Sequence, residues 1–220
     1  MAAADGRRRI SVIYRRLGTY VVASAINGVV TMKIKRSLPV LLLVLCAGLM
    51  AGYLIYHSDW FQKKYVYPFP FQEKVFRYAT EYEVDPYLIV AVVRTESKFL
   101  PVARSPKGAR GLMQMMPETG QWVAGELNVG GFTADMLSDP ETNIRFGTWY
   151  LASLRKEFKN NDILVLAAYN GGRGNVKQWM RQLGWSDDFR DVDTIPYRET
   201  REYVRRVIEA RERYQELYGQ

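Results

Sequence analysis

An uncharged apolar run near the start of the chain is followed by stretches in which apolar and polar positions alternate at helical spacing. Residues 38–56 are 19 consecutive residues without a charge, close to the ~20 residues that cross a bilayer as a helix. The pattern therefore predicts a single transmembrane or signal-anchor helix at 38–56. Lys33, Lys35 and Arg36 precede it, which predicts a cytoplasmic N-terminus and an extracytoplasmic location for everything after His57.

Two alternatives are open for this run. Its most apolar part, residues 38–45, is short enough for a cleaved signal peptide, which would release a secreted protein. However, no clear A-x-A cleavage site follows, and the apolar run continues to Tyr56. Cys46 would be the modified residue of a lipoprotein, but the bulky Leu45 before it favours a small apolar residue within the anchor. We expect an uncleaved membrane anchor.

Beyond the anchor, the chain is helical in pattern. The aromatic residues and prolines of 57–70 predict a stiff linker. Apolar residues on one face predict helices over 71–83 and 200–218. The dipeptide Asp85-Pro86 is a helix start, and the wholly apolar run at 87–93 predicts that this helix is buried. We therefore expect an all-α (mainly α) domain over residues 71–220.

Glycine-rich turns at 107–111 and 170–174 separate the predicted helices. Such turns expose backbone and predict two flexible loops at the surface of the domain. Large aromatic residues at helical spacing are usually buried. The residues predicted to lie in the core on this ground are Trp122, Trp149, Trp179 and Trp185.

The net charge of +8 belongs to the N-terminal segment. Residues 1–57 contain eight of the 31 basic residues and one of the 23 acidic residues, which leaves 23 basic and 22 acidic residues in 58–220. The domain has no cationic excess, so nucleic acid is not an expected partner. Residues 1–37 form a basic segment, and translation from Met32 instead of Met1 would remove residues 1–31.

Composition excludes several kinds of site. The chain has one cysteine and one histidine, so it cannot form an intramolecular disulfide or a metal site that needs two imidazoles from one chain. No nucleotide-binding fingerprint, zinc pattern or calcium loop is present in the sequence. We expect no cofactor and no metal.

Glu96 is the residue whose position points most directly to chemistry. It closes the apolar helix, where partial burial and the negative end of the helix dipole both raise a carboxyl pKa. A glutamate that is protonated near neutral pH can donate a proton to a glycosidic oxygen. Taken alone, a solvated glutamate paired with Arg94 or Lys98 explains the same sequence.

Five motifs give Glu96 its context. They are Glu96-Ser97-Lys98-Phe99, the stretch Ser105-Pro-Lys-Gly108-Ala109-Arg-Gly111-Leu112-Met113-Gln114-Met115-Met116-Pro117, Asn143-Ile144-x-x-Gly147-x-x-Tyr150-Leu151, Ala167-Ala168-Tyr169-Asn170-Gly171-Gly172, and Ile195-Pro196-Tyr197-x-Glu199-Thr200-Arg201-x-Tyr203-Val204. In order and spacing they closely resemble the soluble-lytic-transglycosylase (SLT) type of peptidoglycan lytic transglycosylase, from about residue 67 to 214. The resemblance implies a goose-type lysozyme-like helical fold. It also implies cleavage of the β-1,4 bond between N-acetylmuramic acid and N-acetylglucosamine.

The resemblance further implies roles for individual residues. Glu96 matches the family's sole catalytic acid/base. The positions that match substrate-binding positions are Ser105, Gln114, Met116, Tyr169, Asn170 and Glu199. The residues themselves leave structural alternatives open: Ser105 could open a turn, the methionines could fill the core, Tyr169 could be a packing residue, and Glu199 could be a first-turn acid of a helix. Gly171 stands where many relatives carry alanine.

By this resemblance Glu96 protonates the glycosidic oxygen and then accepts the proton of the muramyl O6, which closes a 1,6-anhydro ring without water. The first alternative is a hydrolytic muramidase in which Asp135, Asp139 or Glu199 activates a water. The second is a catalytically silent, membrane-anchored module that binds peptidoglycan. The expected partners are peptidoglycan glycan strands and the membrane, through residues 38–56.

Overall fold

The computed structural model describes residues 38–219, so the predictions for residues 1–37 lie outside it. The chain divides into two compact units after Phe61. In the first unit, α1 (Leu38–His57) is followed by the short α2 (Asp59–Phe61). α1 has 20 residues, contains no Asp, Glu, Lys or Arg, and has exposed side chains throughout. At a rise of 1.5 Å per residue it is about 30 Å long, which matches the hydrocarbon core of a bilayer.

The second unit is built from helices and turns. Besides a π-helical turn (Gln62–Val66) it has two 3-10 helices, Ala134–Ser138 and Val192–Thr194. Its α-helices are α3 (Gln72–Tyr82), α4 (Pro86–Ser97), α5 (Pro117–Glu126), α6 (Pro140–Glu157), α7 (Asp162–Gly171), α8 (Arg173–Leu183) and α9 (Arg198–Tyr218). Within residues 38–219 there is no strand, only isolated bridges of Arg110 with Arg104 and Met115. The predicted all-α class is confirmed.

α4 lies at the centre of the second unit because its sequence has no polar face before its last turn. All residues from 88 to 93 are buried, and α3 and α9 pack against the helix. Burial of each large aliphatic side chain contributes about 1.5–3 kcal/mol. The helix begins where the Asp85 side chain accepts a hydrogen bond from the backbone N–H of Tyr87 at 2.9 Å and Pro86 takes the first helical position.

Residues 62–70, predicted from the sequence as part of a linker, pack against α9. The Tyr67 ring meets the Tyr214 ring edge-on, with 5.5 Å between centroids. The Tyr214 hydroxyl donates to the carbonyl oxygen of Pro68, and the Tyr218 hydroxyl to that of Tyr67, both at 2.8 Å. The segment is therefore part of the folded unit.

A smaller apolar cluster joins α5, the first 3-10 helix and α6. Val123 of α5, Leu137 of the 3-10 helix and Phe146 of α6 are fully buried in it. Met115 belongs to the same cluster, so the cluster also holds the end of the loop that precedes α5. The loop thus rests on a core of its own instead of lying loosely over the surface.

Substitution of Asp85 tests how α4 is started. Asp85→Ala should lower the free energy of unfolding by about 1–3 kcal/mol, because it removes the N-cap and the ion pair of Asp85 with Arg211. Asp85→Asn keeps a capping side chain and should cost less. Urea denaturation of the chain in nonionic detergent, monitored by tryptophan fluorescence, measures both losses in the free energy of unfolding. Equal losses in the two variants would contradict a capping contribution.

Candidate active site

Glu96 lies one residue before the end of α4, where the buried core meets the surface. Its side chain is partly buried, and this desolvation raises the pKa of Glu96 to about 7. Tyr203 and Arg206 lower the pKa of Glu96, whereas the negative charge of Glu199 raises it. The carboxyl group is therefore present in both protonation states near neutral pH and can either donate or accept a proton.

Two buried tyrosines accompany this carboxyl group. Burial, together with the negative charge of Glu96, raises the pKa of both Tyr169 and Tyr203 well above the usual range, so both hydroxyls stay protonated. The Tyr169 hydroxyl donates to the carbonyl oxygen of Met113 at 2.8 Å. The Tyr203 hydroxyl stabilises the Glu96 carboxylate from nearby, yet no regular hydrogen bond joins it to any residue of the described part.

One buried amide holds the loop that precedes α5. Asn143 of α6 is fully buried. Its Oδ1 accepts from the backbone N–H of Met113 at 2.7 Å, and its Nδ2 donates to the carbonyl oxygens of Arg110 and Leu137 at 3.0 and 2.8 Å. Gly111 has a φ of 79°, and a Cβ there would collide with Asn143 and with the Leu137 carbonyl. The loop can follow this path only with glycine at 111.

Ser105 and Gln114 use their side chains inside the same loop. The Ser105 Oγ accepts from the backbone N–H of Ala109 at 3.0 Å and closes a turn. The Gln114 Nε2 donates to the carbonyl oxygens of Ala103 and Gly111 at 3.1 and 2.9 Å. The structure thus gives both residues a part in shaping the loop.

The three neighbouring methionines differ in their surroundings. Met113 and Met115 are buried, whereas Met116 is 37% exposed at the start of α5. The core alternative therefore applies to the first two, and Met116 offers its thioether to the surface. No hydrogen bond between residues of the described range joins Ser105 or Gln114 to Glu96.

The end of α7 meets the start of α9 beside Glu96. The Asn170 Oδ1 accepts a hydrogen bond from the Thr200 hydroxyl at 2.9 Å. Glu199 is the next residue back from Thr200, exposed in the first turn of α9. Of the residues predicted from the sequence, Tyr169 and Glu199 act electrostatically on Glu96 or respond to it. Asn170 is connected to this group through Thr200.

Tyr203 and Arg206 are two residues of the site that sequence reasoning did not assign. Glu199, Tyr203 and Arg206 are spaced by four and then three residues along α9. That spacing places all three on one face of a helix. Once Glu199 was placed near Glu96, this spacing in the sequence could have predicted that Tyr203 and Arg206 also lie near Glu96.

A row of aromatic rings leads away from Tyr169. Successive ring centroids are 5.5 Å apart for Tyr169 and Tyr150, 6.1 Å for Tyr150 and Trp122, and 5.2 Å for Trp122 and Trp149. The Arg173 guanidinium lies 5.2 Å from the centre of the Trp122 ring. Both tryptophans pack on the smaller apolar cluster but stay partly exposed. The prediction that they are core residues is therefore only partly right.

Two of the three acids that could serve a hydrolytic enzyme are used elsewhere. Asp135 pairs with Arg110 at 2.5 Å, and the Asp139 side chain caps α6. Glu199 is the one acid of the three whose charge acts on the pKa of Glu96. The surroundings of Glu96 therefore contain a single candidate for a second carboxylate among the acids considered.

The sequence of this domain matches a known family. The family model of the transglycosylase SLT domain covers residues 73–192. The chain belongs to this family. Four of the five motifs lie within the residues that the family model covers.

Curated relatives share the domain but are longer proteins. The soluble lytic murein transglycosylase of Escherichia coli K12 is 38% identical over 144 residues, which cover 64% of this chain and 22% of that protein. The membrane-bound lytic murein transglycosylase C of Edwardsiella ictaluri is 38% identical over 120 residues, which cover 47% of this chain and 32% of that protein. The chain thus spans less than a third of the length of either relative.

Solved structures of the family have the same fold. The 70-kDa soluble lytic transglycosylase SLT70 of E. coli matches with a TM-score of 0.67 and 34% identity, over 73% of this chain and 26% of that one. An inactive glutamate-to-glutamine mutant of lytic transglycosylase Slt from Pseudomonas aeruginosa matches with a TM-score of 0.64 and 32% identity, over 71% and 26% of the two chains. The lysozyme-like SLT fold predicted from the sequence is confirmed.

The raised pKa of Glu96 predicts a stability difference that does not depend on activity. The folded state favours the protonated carboxyl up to about pH 7, against an ordinary value of 4.5, so stability falls as pH rises through this window. Glu96→Gln removes the charge and should be more stable than the wild type by about 1–3 kcal/mol above pH 7, with no difference at about pH 4. Urea denaturation at both pH values measures this.

The exposed Glu212 provides the matched control. Glu212→Gln should not change stability at either pH. A Glu96→Gln variant that is less stable than the wild type above pH 7 would contradict the desolvation of this carboxyl group.

Proposed function

We propose that the chain is a membrane-anchored peptidoglycan lytic transglycosylase with Glu96 as its sole acid/base. It cleaves the β-1,4 bond from N-acetylmuramic acid to N-acetylglucosamine and leaves a 1,6-anhydro-N-acetylmuramic acid end. The observation that carries the proposal is a partly buried Glu96 with a pKa of about 7, in a chain of the SLT family. The names of the soluble and membrane-bound relatives support it. The inactive glutamate-to-glutamine mutant of a relative supports an essential glutamate.

In the first step, protonated Glu96 donates its proton to the glycosidic oxygen. The bond between C1 of muramic acid and that oxygen breaks, and the N-acetylglucosamine side leaves with a new hydroxyl group. The substrate's own acetamido group supports the positive charge that develops at C1. Negative Glu199 favours the protonated form of Glu96 that this step needs.

In the second step, Glu96 is a carboxylate and accepts the proton of the muramyl O6. The O6 oxygen attacks C1 and closes the 1,6-anhydro ring, so Glu96 is protonated again and no water is consumed. Tyr203 and Arg206 both stabilise the carboxylate form. Opposing influences on one carboxyl group thus suit a residue that must be an acid and then a base.

The other predicted residues would bind the glycan. Gln114, Ser105 and Asn170 carry amide or hydroxyl groups that can meet sugar hydroxyl and acetamido groups. Met116 is exposed at the start of α5 and would offer apolar contact to a pyranose face. We propose that these residues, with Tyr169 and Glu199, line the groove that positions the scissile bond.

A hydrolytic muramidase is the second candidate. It is favoured by one observation: Glu199 is close enough to Glu96 to raise its pKa and could activate a water in place of the muramyl O6. The products distinguish the two reactions, since only hydrolysis leaves a reducing end. A module that binds peptidoglycan without cleaving it would release neither product.

The apolar helix α1 and the membrane-bound relatives are consistent with membrane anchoring. We propose a single pass through the membrane at residues 38–56, with the N-terminus in the cytoplasm and the catalytic domain, residues 71–220, on the extracytoplasmic side. Cleavage of this segment as a signal peptide would instead release the domain. The mass of the mature N-terminus separates these two possibilities.

Mass spectrometry of muropeptides tests the reaction. The full chain in nonionic detergent should release products from purified peptidoglycan that are one water lighter than reducing muropeptides. Glu96→Gln should abolish their release, because glutamine cannot donate or accept the proton, whereas Glu212→Gln should behave like the wild type. Reducing products would identify a muramidase, and a wild type that binds peptidoglycan but releases nothing would identify a binding module.

The pH dependence tests the neighbours of Glu96. Because Glu96 starts as an acid, kcat/KM should fall as pH rises through about 7. Removing the negative charge with Glu199→Gln lowers the pKa of Glu96 and should move this fall in kcat/KM to lower pH. Removing the positive charge with Arg206→Gln raises that pKa and should move the fall in kcat/KM to higher pH.

The readout is the pH at which kcat/KM falls, measured between about pH 5 and about pH 9, and not the maximal rate. Either substitution can also weaken substrate binding, but weaker binding lowers kcat/KM at every pH without moving the pH at which it falls. Displacement of both variants in the same direction would rule out the proposed electrostatic roles.

A further inference from the structure

The connection between the apolar helix and the folded second unit is very short. α1 ends at His57 and the second unit begins at Gln62, so residues 58–61 are all that joins them. An extended chain spans at most about 3.6 Å per residue, which limits the distance from His57 to Gln62 to about 18 Å. This limit follows from covalent geometry and holds for every arrangement of the two units.

The connecting residues are wound into a turn. The Ser58 hydroxyl donates to the Ile55 carbonyl oxygen at 2.7 Å, and its oxygen accepts from the backbone N–H of Phe61 at 3.3 Å. The Tyr56 and Phe61 rings lie 5.8 Å apart between centroids. Residues 59–61 form the short helix α2. The connection is therefore shorter than its extended limit.

The second unit holds the chain from its first residues onward. Gln62 is buried, and its carbonyl oxygen accepts from the backbone N–H of Tyr67 at 2.7 Å. The Tyr218 hydroxyl oxygen of α9 lies 3.3 Å from the Lys63 carbonyl oxygen, and the Lys63 Nζ lies 5.3 Å from the centre of the Tyr218 ring. Releasing these residues to lengthen the connection would break these contacts and expose Gln62.

Glu96 lies close to the point where the chain enters the second unit. The Arg94 guanidinium of α4 packs on the Tyr67 ring, 4.4 Å from its centroid, and its Nη2 donates to the Val66 carbonyl oxygen at 3.3 Å. Val66 ends the turn that begins at Gln62, and Glu96 follows Arg94 by two residues. One turn of helix and one arginine side chain thus lead from Gln62 to α4. The Glu96 backbone therefore lies within roughly 25 Å of Gln62.

The two limits together place the Glu96 backbone within about 45 Å of the end of α1 at His57. We propose that the short connection restricts cleavage to glycan that lies within this distance of the bilayer. The inference rests on the proposed function and on the proposed membrane anchoring by α1. Glycan strands meet this condition while they are polymerised from lipid-linked precursors and are still attached to the membrane lipid. The reaction that supplies the substrate is then a glycan polymerisation at the membrane surface.

Distance acts through the effective concentration of the substrate. A strand within reach of an anchored enzyme meets it at a high effective concentration, whereas a strand beyond the reach of the connection is not cleaved at all. A longer connection extends the reach and spreads the active site over a larger volume. Changing the length of this connection should therefore change which glycan is cleaved.

The test varies the distance between glycan and bilayer. The full chain is reconstituted in vesicles that carry either no polymer or a layer of poly(ethylene glycol) lipids about 60 Å thick, which exceeds the reach of Glu96. Purified sacculi are intact peptidoglycan sheets and are too large to enter this layer. The layer should lower the release of anhydro muropeptides from sacculi by about tenfold or more. Strands polymerised from lipid-linked precursors in the same vesicles lie inside the layer and should be cleaved at an unchanged rate.

Two insertions of the same flexible sequence separate reach from other effects. A Gly-Ser insertion of about 30 residues between Phe61 and Gln62 adds about 30 Å of average reach and should restore most of the cleavage of shielded sacculi. The matched control carries the same insertion between Gly130 and Gly131, in an exposed turn with open space around it. That variant should behave like the wild type. Both variants should cleave short soluble glycan fragments at the wild-type rate, because such fragments diffuse into the layer.

Cleavage of sacculi by the wild type that the layer leaves unchanged would overturn the proposal, as would equal losses in the two insertion variants. Failure of the wild type to cleave the soluble fragments would instead overturn the proposed function, and the distance limit with it. Separation of the chain from the vesicles during flotation would overturn membrane anchoring by α1 and, for that reason, the distance limit.

Discussion

The buried amide of Asn143 is the contact on which the shape of the site depends. A primary amide away from water is costly unless its polar atoms are paired, and three of its hydrogen bonds go to loop and turn backbone. The hydrogen bonds of the Met113 backbone show the effect. The Asn143 side chain of α6 accepts from the N–H of Met113, and the Tyr169 hydroxyl of α7 donates to its carbonyl oxygen. Side chains of two helices therefore each bind one backbone group of the same loop residue. The loop cannot move away from α7 without leaving a buried polar group unpaired.

Glu96 shows the opposite treatment of a polar group. The core of α4 is apolar up to Val93, and the Glu96 carboxyl group follows within one turn, where Tyr203 and Arg206 only partly offset its desolvation. The nearby Tyr203 hydroxyl is buried and has no regular hydrogen bond to any residue between 38 and 219. A fold selected for stability alone would pair these groups. Their incomplete pairing keeps the proton of Glu96 exchangeable near neutral pH, at a cost in stability that the rigid loop around Asn143 and the core of α4 offset.

Local patterns predicted the elements better than the contacts between them. Asp85-Pro86 and the apolar run after it fixed the start and the burial of α4, because capping and hydrophobic burial are encoded within a few residues. The sequence also predicted Glu96 at the end of that helix. It left open whether Ser105 forms a turn or binds substrate. It did not predict that Met116 is exposed while Met113 is buried, or that Tyr67 packs on Tyr214 and Arg94. Those outcomes depend on which distant segments meet, and helical periodicity carries no such information.

The junction of α7 and α8 restricts how the family can vary in length. α7 ends at Gly171 and α8 begins at Arg173, so Gly172, with a φ of 91°, is the whole connection. An inserted residue here would rotate α8 against α7 and break the hydrogen bond from the Asn175 Nδ2 to the Gly171 carbonyl oxygen. The turn after α5 is different, because Gly130 and Gly131 are exposed and have open space around them. Insertions and deletions acquired during evolution should therefore accumulate after α5 and be rare between α7 and α8.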